Sequence, residues 1–254
     1  SDLLGPGWDD PVAEAEPASE VVYHRLNDAR ATCSPFVFQV DRKTFRAYPT
    51  EADTVRALAR FVENEREVFE NIDGSRPLRA FIDCDAKANA SNEDLERVAS
   101  AFTNAAIALG VPHDKARPLT LRSDRPEKRS RHYLANGWGF ADWRALKRVE
   151  NAVRGLVGPE GLADGLTAVD GMAKERFALR VPGVPKLDRN GDAIPGSILQ
   201  PSEGHWDNDP RFVGRQTVDA WLIQGAEPLV IYSKPWDEPA PLAISPTIFL
   251  ISRR

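Results

Sequence analysis

The sequence predicts an α+β fold with mixed or antiparallel sheets. Apolar side chains recur at the helical period in three stretches, and shorter apolar runs between turn-forming residues indicate strands. The two kinds of segment intermix without the regular strand–helix–strand spacing that a parallel sheet needs. These observations favour strands that pair largely in an antiparallel manner, with helices packed against them.

The first half of the chain is predicted to contain three extended segments and two helices. Extended segments are expected over residues 34–40, from there to Tyr48, and over residues 79–85. Thr50 is placed to cap a helix over about residues 51–70, with Val55, Leu58, Val62 and Phe69 on its buried face. Ser91 and Asp94 indicate the start of a second helix, which Gly110 and Pro112 end.

The second half is predicted to hold several strands, two helices and a hairpin turn. Strands are expected at 117–123 and 131–136, on either side of a basic turn at Pro126, and a helix at about 141–157. A short apolar run leads to Asp170, and another strand covers 176–181. The turn at 188–191 predicts a hairpin whose return strand is 197–200, followed by a short helix at 217–224 and a strand at 229–232.

Composition narrows the classes of protein to consider. No stretch approaches the roughly 18 apolar residues of a membrane span, and no secretory signal opens the chain. The two cysteines, Cys33 and Cys84, are too few to build a zinc site of their own. We therefore expect a cytoplasmic protein, acting at a nucleoid or at a viral or plasmid replication site, that is not secreted and does not bind membranes.

Charge is unevenly distributed although the net charge is −5. Residues 1–20 carry six acids and no Lys or Arg, which predicts a flexible acidic leader ahead of a domain at 21–254. Positive charge clusters at residues 115–131 and again at 174–189. Such clusters are compatible with a solvated face, but their position beside the motifs favours contact with nucleic acid, with template backbone near Arg122, Arg125, Arg129, Arg131 and the neighbouring Trp138.

Three short motifs carry candidate chemistry. Asp83 and Asp85 end a buried strand and, being two residues apart, point to one face of it. Ser130 and His132 share one face of a second strand in the same way. Val169-Asp170 is the third motif, followed by Arg180 and Lys186. Taken singly each motif is unspecific, since acids at strand ends and Asp-Gly pairs are common in turns; their conjunction is far more specific.

The combined residues suit phosphoryl transfer. Carboxylates at three positions, Asp83, Asp85 and Asp170, can hold two Mg²⁺ or Mn²⁺ ions, which prefer oxygen ligands. Two such ions stabilise the attacking and the leaving oxygen of an in-line displacement. A nucleoside triphosphate also needs cationic and hydroxyl donors, and the sequence contains no Walker A loop to supply them. The donors of the right kinds are Ser130, His132, Arg180 and Lys186.

The three motifs together resemble those of the archaeo-eukaryotic primase superfamily. That family carries Asp-x-Asp or Asp-x-Glu, then Ser-x-His, then a hydrophobic residue followed by Asp. Arg76–Asp85, Lys128–Tyr133 and Arg176–Arg180 are most similar to the branch of herpesvirus, large DNA virus and eukaryotic primase-polymerases. The similarity spans roughly residues 35–235 and is concentrated in the motifs.

The resemblance implies a fold and a set of roles. The fold would be an RRM-like catalytic module joined to a smaller α/β module, with the active site in the cleft between them. The metal ligands and catalytic residues would be Asp83, Asp85 and Asp170. The residues that bind the incoming NTP or dNTP would be Lys128, Ser130, His132, Arg180 and Lys186. The partners would be a single-stranded DNA template and nucleoside triphosphates.

Two departures from the family qualify what the resemblance implies. Some members have a Cys/His zinc module, for which this chain has too few cysteines. Larger members continue into a helicase, so we expect this chain to be one domain of a larger replication protein with a fused or associated helicase. The resulting prediction is a DNA primase or primase-polymerase; the alternatives are a two-metal nuclease and a non-catalytic DNA-binding module of a replication initiator.

Overall fold

The computed structural model of the protein describes residues 21–163 except 33, 35 and 43, then residues 166–169, 173–202, 213, 215–224 and 230–232. For residues 158–163, 166–169 and 219 it describes the backbone. The predicted acidic leader, residues 1–20, and the predicted third carboxylate, Asp170, lie outside the described residues. None of the described helices is long and apolar enough to span a membrane.

Helices and strands intermix along the described chain, which confirms the α+β class. The elements in order are β1 (Val22–Tyr23), α1 (Leu26–Ala31), β2 (Phe36–Val40), β3 (Thr44–Tyr48), α2 (Glu51–Glu63), β4 (Val68–Asp73), β5 (Leu78–Lys87), α3 (Asn92–Ala108), α4 (His113–Ala116), β6 (Leu119–Arg125), β7 (Lys128–Phe140), α5 (Trp143–Ala163), β8 (Leu166–Val169), β9 (Arg176–Arg180), β10 (Gln200–Pro201) and β11 (Val230–Ile231), with a π-helical turn at Thr217–Trp221 before β11.

The strands form two sheets. The small sheet has the order β1-β3-β2-β4-β9 and is antiparallel throughout. The large sheet has the antiparallel order β10-β6-β7-β5-β8, and β11 adds to β7 in parallel. Within the large sheet the chain runs β5-α3-β6-β7-α5-β8, so that four strands in the spatial order β8-β5-β7-β6 make a βαββαβ unit.

The two faces of the large sheet have different partners. Helices α3 and α5 cover one face, where the Tyr133 hydroxyl donates to the Leu95 carbonyl at 2.8 Å. The small sheet packs against the other face, where Phe81 of β5 stacks on Phe177 of β9 with ring centroids 5.5 Å apart. Because side chains alternate along a strand, Asp83 and Asp85 share the face of Phe81 and are turned toward the small sheet.

Helix α2 corrects one sequence prediction. It starts as expected, with the Thr50 hydroxyl accepting from the Asp53 amide at 3.1 Å, but it ends at Glu63 and not near residue 70. Glu65 adopts φ 50°, which a helix does not tolerate, and β4 follows. Phe69, predicted on the helix, belongs to β4; its seven-residue spacing from Val62 matched the helical period by coincidence.

Two further boundaries differ from the prediction. Strand β7 does not end at Gly137 but continues to Phe140, because β5 and β11 supply pairing partners beyond that glycine. Residues 197–200 do not return on a hairpin with the turn at 188–191. That turn is closed by a single bridge between Leu187 and Ala193, and Gln200 instead pairs with Arg122 of β6.

The segment 217–224 connects the hydrophobic cores of the two sheets. Val218 and Leu222 belong to the small-sheet core, whereas Trp221 and Ile223 belong to the large-sheet core. Leu222, the residue after the π-helical turn, has an extended backbone, so Leu222 and Ile223 point to opposite sides of the chain. The segment therefore packs into both cores and connects the small sheet to the large one.

One buried charged residue from each sheet holds this segment. Glu70 of β4 accepts from the backbone amides of Ile223 at 2.8 Å and Gln224 at 2.7 Å. Arg79 of β5 donates through Nε to the Leu222 carbonyl at 3.0 Å. Burial raises the pKa of the Glu70 carboxyl to about 7, against the opposing effect of these backbone amides and of Arg79.

This pKa predicts a pH-dependent stability. Since the folded pKa of Glu70 exceeds the ordinary value of 4.5, the folded state retains a proton that the unfolded chain loses. The associated stability is fully present below about pH 4.5 and is lost as the pH rises through about 7. In urea titrations, wild type should lose up to about 3 kcal/mol more than Glu70→Gln between about pH 5 and about pH 8. Equal losses in the two proteins would contradict this expectation.

Candidate active site

Strand β5 places two carboxylates in a pocket. Asp83 and Asp85 alternate with Ile82 and Cys84, whose side chains are buried in the core. The carboxylates are themselves largely covered, with 15% and 20% of their side-chain surfaces exposed. Two largely covered anions on one face of a strand need polar or positive partners, and the neighbouring strand provides both kinds.

Strand β7 lies antiparallel to β5 and aligns its polar side chains with the carboxylates. His132 is opposite Asp83, and its Nε2 is 3.4 Å from Asp83 Oδ1. Ser130 is opposite Asp85 and donates to Asp85 Oδ1 at 2.7 Å. Lys128 pairs with Asp85 Oδ2. The prediction that Ser130 and His132 share one face of a strand is therefore confirmed, and the pairing of β7 with β5 brings both, with Lys128, to the acidic pair.

The small sheet and the chain after it complete the pocket from the opposite side. Arg180 is the last residue of β9, and Lys186 follows in the loop that leads to β10. Together with the large sheet they enclose a cavity of about 270 Å³. Its lining consists of the two carboxylates, donors and apolar residues from both sheets: Arg42, Phe69, Asp83, Asp85, Ser123, Arg125, Lys128, Ser130, His132, Ala178, Leu179, Arg180, Lys186 and Ser197.

Five of the lining residues are Arg or Lys, and their electrostatics indicate an anion site. Burial lowers the pKa of Lys186, and the nearby positive charges of Arg125, Lys128, Arg180 and Arg42 lower it further. Burial also lowers the pKa of Arg180 to about 10, although Glu67, Asp83 and Asp85 oppose this. Cations that lie close together disfavour one another's charged forms, and a bound anion offsets this repulsion.

The imidazole of His132 is neutral near pH 7. Burial lowers its pKa to about 3, with a further contribution from Arg180. Its Nδ1 is buried and has no hydrogen-bond partner among the described residues. A polar atom in this position would be satisfied by a ligand in the pocket.

The loop after β9 is tied to both sheets through Ser197. The Ser197 carbonyl accepts from Nη1 of Arg180, and its hydroxyl accepts from the Lys186 amide at 2.9 Å. The Ser123 hydroxyl of β6 donates to the neighbouring Gly196 carbonyl at 2.9 Å. The two cations from the small-sheet side are thereby held at a fixed position relative to the carboxylates of the large sheet.

Gly196 offers a test of this positioning. A Cβ at Gly196 would lie 2.8 Å from the Asp124 carbonyl of β6, so Gly196→Ala must push the loop away from the large sheet. We expect severalfold weaker binding of the anionic ligand, measured with ATP by titration calorimetry, because the Ser197 groups that bond Arg180 and the Lys186 amide move with the loop.

Gly191→Ala is the matched control for that variant. Gly191 lies in the same loop with φ +93°, and Gly196 has φ +68°, so both substitutions incur the roughly 1–2 kcal/mol cost of a left-handed backbone. A Cβ at Gly191 meets nothing within 4 Å. Equal loss of ATP affinity in the two variants would show that the close approach to β6 has no bearing on the pocket.

The predicted nucleic-acid contacts have separate locations. Arg125 lines the pocket. Arg122 is exposed on β6, and Arg129 and Arg131 lie on the helix-covered face of β7. Arg131 is buried and forms two bonds to Asp124, at 2.6 and 3.1 Å, which is a structural ion pair. Because Arg131 is buried in this pair, it is not available to contact a nucleic-acid backbone, contrary to the sequence prediction.

Trp138 corrects a further expectation. It was expected beside nucleic acid, but only 1% of it is exposed, and its indole donates to the Lys115 carbonyl at 3.0 Å. Its ring packs against Phe102 and Phe140 in the large-sheet core. The basic cluster at 115–131 therefore divides into pocket residues, structural pairs and exposed positions, and does not form one aromatic-lined track.

Sequence reasoning missed several lining residues. Ser123 lies opposite Ser130, and Arg125 lies opposite Lys128, across the turn at Pro126. If that turn is treated as a tight hairpin, the alternation of side chains places Ser123 and Arg125 on the same face as Ser130 and Lys128, and therefore in the pocket. Arg42, Phe69 and Ser197 carry no such local signal, because they reach the pocket only through packing of the small sheet.

The donor set of the pocket fits a hard divalent cation. The carboxylates of Asp83 and Asp85 supply oxygen ligands from one strand face, the kind that Mg²⁺ and Mn²⁺ prefer. Within the part of the chain that the structure describes, no group of three or more His, Cys, Asp or Glu side chains is arranged around a common point. Asp170 is outside that part, and Val169, which precedes it, pairs with Cys84 between the two carboxylates.

The site thus brings together seven of the eight residues predicted to bind metal or nucleotide. They are Asp83, Asp85, Lys128, Ser130, His132, Arg180 and Lys186. No protein-family model and no curated protein matches the chain. The case for a function therefore depends on the geometry of this pocket and on the motifs that form it.

Proposed function

We propose that the protein is a metal-dependent nucleotidyltransferase of the primase or primase-polymerase kind. It would join NTPs or dNTPs on a single-stranded DNA template and release pyrophosphate. The observation that carries the proposal is the pocket between the two sheets, in which two carboxylates of β5 face the cations Arg125, Lys128, Arg180 and Lys186. This combination suits a polyanionic ligand, such as a triphosphate, that must lie next to a divalent cation held by the carboxylates.

The fold supports the same class. The βαββαβ order of the large sheet is the connectivity expected of an RRM-like catalytic module. The small sheet would then be the second module, and the pocket lies between the two. The resemblance of the motifs to those of archaeo-eukaryotic primases adds further support, since it rests on the sequence alone.

The chain's own residues have defined roles in this mechanism. Lys128, Arg180 and Lys186 would neutralise the triphosphate, and Ser130 and His132 would orient it by hydrogen bonds. Asp83, Asp85 and Asp170 would hold Mg²⁺ or Mn²⁺, which would stabilise charge developing on the phosphate and the leaving group. A strand's 3′-hydroxyl, or the first nucleotide's during priming, would attack the α-phosphate in line, its proton would pass to water, and pyrophosphate would leave toward the cations.

His132 is better suited to donate a hydrogen bond than to accept a proton in this scheme. A group with a pKa of about 3 is a weak base near pH 7, so it would abstract a proton poorly. A neutral imidazole buried beside Arg180 can donate a hydrogen bond to a phosphate oxygen and fix its position. This supports an orienting role for His132.

Synthesis on an unprimed template tests the proposal. The protein is incubated with labelled nucleotides, Mn²⁺ and an unprimed single-stranded DNA, and the products are separated by length. We expect new labelled oligomers that require the template. Shortened template would instead support the two-metal nuclease, and DNA binding without either product would support a non-catalytic initiator module.

A further inference from the structure

The turn between β2 and β3 is fastened to the chain before β4 by two ion pairs. Arg42 bonds Glu67 through Nε at 2.7 Å and Nη2 at 2.9 Å, and Arg66 pairs with Asp41. The Asp41 amide also donates to the Glu67 carbonyl at 2.8 Å. Asp41 and Arg42 have φ of 48° and 59°, a conformation that the surrounding contacts must hold in place.

This turn brings Arg42 to the pocket. Glu67 is 1% exposed, so the carboxylate that orients Arg42 is rigidly buried. Arg42 itself has 56% of its side chain exposed, against 33% for Lys128 and 14% for Arg125. Arg42 is therefore the cation at the rim of the pocket, with a guanidinium plane fixed by Glu67 and further N–H donors for an anion.

The charges along the pocket are ordered. Arg180 pairs with Phe69 of β4, two residues from Glu67, and the charges of Glu67, Asp83 and Asp85, in that order, oppose the lowering of its pKa by burial. Arg180 therefore lies between the Arg42–Glu67 pair and the two carboxylates. The groups run from the carboxylates through Arg180 to Arg42 at the rim, and Lys186 lies among the same cations.

A triphosphate would lie along this order in one direction. The α-phosphate has to be next to the carboxylates, because that is where the bond is made and broken. The terminal phosphate is then the group farthest from Asp83 and Asp85, beyond Arg180. It reaches the rim of the pocket, where Arg42 lies.

We propose that Arg42 contacts the terminal phosphate of the bound nucleotide and so makes the pocket select triphosphates over diphosphates. The inference rests on the proposed function, in that it takes the pocket to hold a nucleotide with its α-phosphate at the carboxylates. Glu67 is the positioning residue, because it sets the orientation of the guanidinium from beneath the rim.

The experiment compares affinities for ATP and ADP by titration calorimetry in Mg²⁺. Arg42→Ala should weaken ATP binding about ten- to thirtyfold, the contribution of a charge-assisted contact, and should leave ADP binding within about twofold of wild type. Arg42→Gln, which keeps a donor toward Glu67 but no charge, should give the same loss for ATP and serves if the alanine variant unfolds.

Arg66→Ala is the matched control. It removes the companion ion pair between the same two segments, and Arg66 is not part of the pocket lining. If Arg42 only fastened the turn, Arg66→Ala would weaken ATP binding as much as Arg42→Ala. That result, or equal losses for ATP and ADP in the Arg42 variants, would overturn the inference.

Failure of the inference and failure of the proposed function give different results. Synthesis on the unprimed template together with equal ATP and ADP losses keeps the function and removes the role of Arg42. Absence of synthesis together with a selective ATP loss keeps the triphosphate site and removes the polymerase. A wild-type protein that binds neither ATP nor ADP would overturn both.

Discussion

Replacing Asp83 with Asn is expected to lower nucleotide incorporation by about a thousandfold or more. The change keeps the size of the side chain but removes the charge with which β5 would hold a divalent cation, and metal coordination contributes several kcal/mol to such reactions. Single-turnover incorporation on a primed template, with nucleotide at saturation, measures the effect on the chemical step. Single-stranded DNA binding should remain near wild type, because Asp83 lies inside the pocket with 15% of its side chain exposed.

The control for this variant is Asp114→Asn. Asp114 is exposed on α4 and is not part of the pocket lining, so its loss changes the net charge by the same amount without touching the site. Both variants should melt within a few degrees of wild type. Retention of full synthesis by Asp83→Asn would remove the acidic pair from the mechanism and with it the proposed class of enzyme.

Replacing Arg79 with Ala is expected to destabilise the protein by about 3 kcal/mol or more. The side chain is 2% exposed and donates to the Leu222 carbonyl at 3.0 Å and the Ala135 carbonyl at 2.9 Å. Its removal leaves those buried acceptors without this donor and takes away the positive charge near buried Glu70. Urea denaturation at about pH 7 measures the change in the free energy of unfolding.

Arg76→Ala provides the comparison for that measurement. Arg76 is exposed in the turn that precedes β5, so its truncation should change the free energy of unfolding by no more than about 0.5 kcal/mol. Because Arg79 and Glu70 hold segment 217–224 from different sheets, Arg79→Ala should also make this segment the first site of cleavage in limited proteolysis. Equal stability of the two variants would mean that Arg79 contributes nothing to holding the segment.

The acidic and basic halves of the site could be predicted because each is local to one strand. Alternation alone puts Asp83 with Asp85, and Lys128 with Ser130 and His132, on common faces. Only the combined chemistry of the motifs suggested that the two sets belong to one site. What alternation does not provide is the partner of each side chain, and the register that aligns Asp83 with His132 is set by the pairing of β5 with β7.

The contribution of the small sheet was harder to predict for a physical reason. Arg42 and Phe69 reach the pocket only because β4 pairs with β9 and because the β2–β3 turn is fastened to Glu67. Those are contacts between segments distant in sequence, and no periodic pattern records them. Strand β4 was not predicted, because α2 ends at Asn64 and Glu65 without a glycine or proline that would indicate the end of a helix.

Strand β7 serves two layers of the protein at once. Lys128, Ser130 and His132 face the pocket. On the helix-covered face, Arg129 and Tyr133 donate to the carbonyls of Ala90 and Leu95, and Arg131 pairs with Asp124 of β6. Since the period of a strand is two residues, deleting or inserting one residue here would exchange the two sets and direct the donors into the helices. Individual side chains along this strand can therefore be substituted, but the number of residues in it cannot change. An insertion or deletion is compatible with the site only at the turn at Pro126 or beyond Gly137.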